Sequence, residues 1–169
     1  MEEGNEDSKV LPFTHKKECP CEICNGTSFE EIEKQQEQYL KDCGFYVHYV
    51  PGEDEDSPTG VNIHTHGIQE SFDHPDFQIV MMVSMEAVHS IFHYMVSKIK
   101  KGVKYEPGKI YKDVVPNDLP IAFKWTTESD SSRNVLRMIV CDPVGEIEED
   151  KMQEPYNHQY CGTSEEPIL

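Results

Sequence analysis

The chain has 169 residues, enough for one domain with a proper core and too few to expect two. Its 32 acidic residues against 15 basic ones give a formal net charge of -17, which repels phosphate backbones. No basic patch interleaved with aromatics offsets that charge, so nucleic-acid binding is disfavoured and no such partner is expected.

No apolar run approaches the ~20 residues that span a bilayer, so no membrane partner is expected. The opening "MEEGNEDSKV" is acidic, with neither a basic n-region nor an apolar h-region. The expected compartment is therefore cytoplasmic, where cysteines stay mostly reduced.

In chain order, residues 1–10 form a polar acidic tail, expected to be mobile. Residues 11–27 form a cysteine-rich segment, "LPFTHKKECPCEICNGT". A helix follows in "SFEEIEKQQEQYLKDCG": Ser28 with Glu31 makes a capping box, and Gly44 takes the left-handed stop. Its apolar stripe is Phe29, Ile32, Gln36, Tyr39, Leu40 and Cys43. Aromatic and β-branched "FYVHYV" (45–50) predicts a strand, and "PGEDEDSPTG" a solvated loop.

"VNIHTHGI" alternates Val61, Ile63 and Thr65 against Asn62, His64 and His66, a strand with two unlike faces. "FQIVMMVS" (77–84) is apolar on both faces, as in a central strand. "MEAVHSIFHYMVSKIKKG" predicts a second helix, with Val88, Ile91, Phe92, Met95, Val96 and Ile99 on one side and a basic last turn suited to the helix dipole. "IAFKWTT" and "NVLRMIVCD" are two more strands around the polar turn "ESDSSR", and a polar, proline-punctuated tail closes the chain. Adjacent strands with short connections predict an α+β domain over residues 11–169: a central, mostly antiparallel sheet with two main helices packed on it.

Three groups of residues could carry chemistry. His15, Cys19, Cys21 and Cys24 could wrap a tetrahedral structural Zn²⁺, although four ligands this close together are cramped. The competing reading is a set of reduced thiols packed on the core. His64, His66 and Glu70 form H-x-H-x-x-x-E, a spacing used by cupin-type metal sites, because histidines at i and i+2 share one strand face. His48 joins them if its strand lies alongside. The competing reading, favoured here, is a solvent-facing polar side of an antiparallel sheet. His89 and His93 stand at i and i+4 on a helix, but Ser90 occupies the position where a metalloprotease needs its glutamate. No nucleophile elbow, P-loop or dinucleotide fingerprint occurs, and Cys43 and Cys141 read as packed thiols.

The order of these features resembles the bacterial family catalogued as Domain of Unknown Function 4262. The resemblance rests on Cys21 and Cys24 as its C-x-x-C, and on Thr65, Gly67 and Ile68 in "HTHGI". His74, Pro75 and Asp76 in "HPDFQIV", the link "YEPGKIYKDVVPNDLPIAF", the late strand in "LRMIVCDPVGEI" and the closing "EEPIL" also match. It runs from about Cys21 to Leu169. It implies that His74 is the patterned histidine, at a turn fixed by Pro75, and that the cupin-like spacing of His64 and His66 is coincidental. The family implies a fold relative and no activity.

These readings together predict a cytoplasmic binding or regulatory module, self-associating, with the N-terminal cysteines and His15 as its candidate structural Zn²⁺ site. The alternative is a small metal-dependent or histidine-based enzyme with a pocket near Gly67 and His74, using His74 and Asp76.

Overall fold

The computed structural model describes residues 26–51, 59–128 and 132–168. The acidic tail, the cysteine-rich segment up to residue 25 and most of the acidic loop lie outside the described residues.

Helix α1 (Phe29–Cys43) starts as its sequence requires. Ser28 Oγ accepts from the Glu31 N–H at 3.3 Å, the Glu31 carboxylate accepts from the Ser28 N–H at 3.0 Å, and Gly44 ends the helix at φ 81°. The stripe is only half covered. Ile32, Gln36 and Cys43 are partly buried, while Phe29, Tyr39 and Leu40 are exposed. α1 is thus a surface helix lying beside β1.

Strands β1 (Tyr46–Pro51), β2 (Val61–His66), β3 (Phe77–Ile79), β4 (Ile121–Thr127) and β5 (Asn134–Val140) form one sheet in the order β1-β2-β3-β5-β4. All pairs are antiparallel except β3 with β5, which run parallel, so the α+β, mostly antiparallel class holds. β3 is shorter than its apolar run. After Ile79 the chain leaves the ladder, yet Val80 and Met81 stay buried, because hydrophobicity reports burial and not strand pairing.

One sheet face is the core. Val61, Ile63, Phe77, Ile79, Phe123, Leu136 and Met138 pack against Val88, Phe92, Met95, Val96 and Ile99 of α3 (Met85–Ile99). Phe77 stacks on Phe92 with ring centroids 6.0 Å apart. No helix among the described residues is long and apolar enough to cross a membrane.

The opposite face is polar, and it is not solvent-facing as its alternation suggested. Asn62, His64, Gln78, Thr126 and Arg137 are all buried there. The C-terminal segment covers the β4–β5 half. Arg137 donates to the carbonyls of Gln159 (3.0 Å) and Cys161 (2.6 Å), and the Gln159 amide both donates to the Val140 carbonyl and accepts from its N–H, each at 2.9 Å. Met152 packs on Ala122 and Ile139, and Ser164 bridges Trp125. The tail is polar in sequence because its backbone carbonyls, more than its side chains, make the contacts.

Between β2 and β3 lies a one-and-a-half-turn helix, α2 (Ile68–Phe72), that the sequence did not announce. Gly67 precedes it at φ 103°, and a Cβ there would sit 2.6 Å from Leu40 Cδ2 and 2.7 Å from the Gly44 carbonyl oxygen. Only glycine allows both the left-handed turn and this close approach of α1.

Candidate metal centre

The β1–β2 register sets His48 directly opposite His64, and the two-residue strand period puts His66 on the same face. The three rings therefore converge: centroids are 4.9 Å apart for His48 and His64, 5.6 Å for His48 and His66, and 4.8 Å for His64 and His66. One ring nitrogen from each lies within 4.8 Å of the others, a group that could hold a metal ion. His64 is buried, His66 half-buried and His48 exposed. Tyr46 stacks on His66 at 5.1 Å.

Which nitrogen His64 presents follows from an obligate donor two residues away in the network. Arg137 Nε can only donate, and it donates to Gln78 Oε1 at 2.7 Å. The Gln78 amide nitrogen then faces Asn62 Oδ1 at 3.2 Å, so Asn62 presents its oxygen, and His64 Nδ1 at 3.0 Å must carry the proton donated to it. The lone pair of neutral His64 is left on Nε2, 3.0 Å from His66 Nε2. A metal-binding imidazole is oriented in the same way, by a carbonyl that takes its other N–H.

A charged layer stands behind the rings. Arg133 forks onto Glu128 (Nε to Oε2 2.9 Å, Nη2 to Oε1 2.8 Å) and also reaches Asp76 Oδ2 (2.8 Å) and the Thr65 carbonyl (2.9 Å). Glu128 Oε1 lies 3.2 Å from His64 Nε2. Burial pushes His64 down to about 3 and His66 down to about 4, Arg133 adding to the shift at His66, while Glu128 opposes both. Burial would raise Glu128, but its Arg133 bonds and the neighbouring histidines leave it below the usual carboxylate range. With His64 neutral, its contact with Glu128 is not an ion pair.

These shifts fix a pH dependence for the metal-free protein. In the unfolded chain the imidazoles titrate near their ordinary 6.5, so below that pH the unfolded state takes up protons first. Stability is full above about pH 6.5 and falls as the pH drops towards about 4, by up to about 1.4 kcal/mol per pH unit for each histidine. Urea midpoints compared at about pH 7, 6 and 5 read this directly, and a flat profile would mean that the rings are solvated.

The other residues singled out in the sequence take different places. His15, Cys19, Cys21 and Cys24 lie outside the described residues. Glu70 sits exposed on the first turn of α2 and is not in the group of converging ligands. His74 is buried with both nitrogens bonded: the Tyr105 N–H donates to Nε2 at 3.0 Å, so Nδ1 carries the proton given to the Pro75 carbonyl at 2.8 Å. Burial holds its pKa below the ordinary value.

Asp76 accepts from the Thr65 hydroxyl (2.7 Å), the Ile68 N–H (3.1 Å) and Arg133, so it anchors the turn into α2. Burial raises its pKa against the pull of those bonds. A groove of about 330 Å³ beside β4, lined in part by Lys109, Lys124 and Tyr160, touches neither Gly67 nor His74. His89 and His93 stack at 6.4 Å without a third ligand among the described residues. Sequence reasoning missed Asn62, Glu128 and Arg133. The only local trace of the last two is a charged residue on each side of the "SDSS" turn.

Neither the curated proteins nor the solved structures compared with the chain gave a match. The match that does arise stops short of the N-terminal C-x-x-C and of the closing "EEPIL", but it takes in every residue of the histidine cluster and of the charged layer behind it. The chain belongs to the family described as Domain of unknown function (DUF4262), whose model covers residues 40–145.

Proposed function

We propose that this chain is a metal-binding module that holds one divalent transition-metal ion, zinc by our assignment, on His48, His64 and His66. The observation that carries the reading is the convergence of three imidazoles from two paired strands, with His64 Nε2 held unprotonated by Asn62. All-imidazole sets suit zinc and its neighbours in the first transition row and suit magnesium or calcium poorly. In this reading His74 and Asp76 act as structural ties, since each already spends its polar atoms on the chain itself.

The test is metal content by mass spectrometry on untagged protein, comparing wild type, His64→Ala/His66→Ala and Cys21→Ser/Cys24→Ser. About one metal per chain is expected in wild type and in the cysteine variant, and none in the histidine variant. Metal kept by the histidine variant and lost by the cysteine variant would overturn the assignment and move the site to the N-terminal segment. A catalytic use of the same centre is the second reading. It is favoured by the exposure of His48, which leaves a solvent-accessible side such as a catalytic metal requires.

A further inference from the structure

We infer that Glu128 is the fourth ligand of this centre, so that the ion would sit in a closed set of three imidazole nitrogens and one carboxylate oxygen. The inference rests on the metal reading of the histidines and decides between its two forms.

The starting point is a conflict. Asn62 takes the only ring proton of neutral His64 at Nδ1, so Nε2 presents a lone pair. Yet Glu128 Oε1, also rich in lone pairs, stands 3.2 Å away and is buried with it. The His66 Nε2–H, 3.0 Å away, serves the His64 lone pair in the metal-free protein, but Glu128 Oε1 still faces His64 Nε2 acceptor to acceptor. A second ring proton would meet that oxygen, but only by turning His64 into a cation. A cation shared by both atoms resolves the conflict without charging the ring.

The spacings agree with that. Ligands bound at about 2.05 Å in a tetrahedron are about 3.3 Å from one another. His64 Nε2 lies 3.0 Å from His66 Nε2 and 3.2 Å from Glu128 Oε1, two edges of such a polyhedron. The widest gap among the histidine nitrogens, up to 4.8 Å, closes to that edge by a side-chain movement of about 1.5 Å. Glu128 lies outside that 4.8 Å group, beside His64 at 3.2 Å, and has farther to move.

Glu128 is also prepared for the role. Arg133 holds both its oxygens while fixed in turn by Asp76 and the Thr65 carbonyl, so Oε1 is aimed before any metal arrives. A carboxylate oxygen has two lone pairs, so Oε1 can keep its Arg133 bond and still bind an ion. Two carboxylates offset most of the charge of the guanidinium and the divalent ion, leaving the site at +1.

The experiment uses the full chain with Co²⁺ and Zn²⁺. Zinc affinity is measured by competition with a chromophoric chelator for wild type, Glu128→Gln and His64→Ala, with circular dichroism as the folding control. Glu128→Gln should weaken binding by at least about 100-fold, beyond the 10–100-fold typical of an outer partner. Independently of any variant, cobalt-loaded wild type is titrated with azide. A filled fourth position leaves the visible spectrum unchanged, whereas three histidines with a replaceable water give a shifted one.

If wild type responds to azide and Glu128→Gln binds zinc within about 3-fold of wild type, Glu128 is not a ligand, and the open, catalytic form of the reading gains. If wild type binds neither metal, or His64→Ala binds as well as wild type, the three-histidine reading itself fails.

Discussion

Arg137→Met is expected to destabilise the protein by about 3–5 kcal/mol, the range for removing a buried charged group whose partners stay behind. Arg137 is 1 % exposed and bonds Gln78, the Gln159 carbonyl and the Cys161 carbonyl. Methionine fills most of the volume but donates nothing. Two buried acceptors, on Gln78 and Gln159, and the part-buried Cys161 carbonyl are then left without this donor, each buried one costing about 1–3 kcal/mol before relaxation. The C-terminal segment should loosen first, because two of the three bonds hold it. The variant should also weaken metal binding about 10–100-fold, since Gln78 would lose the donor that orients Asn62 and, through it, His64. Urea unfolding and chelator competition read the two effects separately. A stability loss below about 1 kcal/mol would mean that water reaches these carbonyls.

Asp76→Ala carries the second large effect, also about 3–5 kcal/mol. Its carboxylate is the common acceptor for Thr65, the backbone at Ile68 and Arg133. Removing it strands two buried donors and a guanidinium. Asp76→Asn should be nearly as damaging. If its oxygen stays on Thr65 and Ile68, its NH₂ must face Arg133, donor against donor. If it flips, the Thr65 hydroxyl loses its acceptor. Thermal unfolding of both variants checks this ordering. If Asp76 were instead a catalytic acid in an open pocket, either change would leave the melting temperature nearly unaltered.

Much of the fold was legible because its cues are local. The Ser28–Glu31 box, the α3 stripe and the alternation of β2 each depend on neighbours within a turn or a strand. α2 escaped because five residues are too few to show a helical period, and its start is fixed by Asp76, eight residues from Ile68. The run after Ile79 misled because it is buried without being paired.

The site divides along the same line. His64 and His66 could be placed on one face by spacing, and His48 opposite them once the strands were taken as neighbours. The spacing looked coincidental beside the family pattern, and Glu70 looked like its third member. Glu128 carried no local mark. It reaches His64 because β5 enters the sheet beside β3 and carries the β4–β5 turn with it, an outcome of topology alone.

The parallel pairing of β3 with β5 has a consequence for synthesis. A growing chain can close β1, β2 and β3 from nearby residues, but Leu136 and Arg137, which pair with Phe77 and Gln78, emerge only later. Arg137 lies 59 residues beyond Gln78, and Arg133 lies 68 beyond Thr65. Until then a β1–β2–β3 unit would leave its Phe77–Ile79 edge unpaired, the kind of edge that recruits foreign strands. Crowded or rapid expression should therefore favour inclusion bodies, and slowing elongation past β3 would lengthen the hazardous interval and not relieve it.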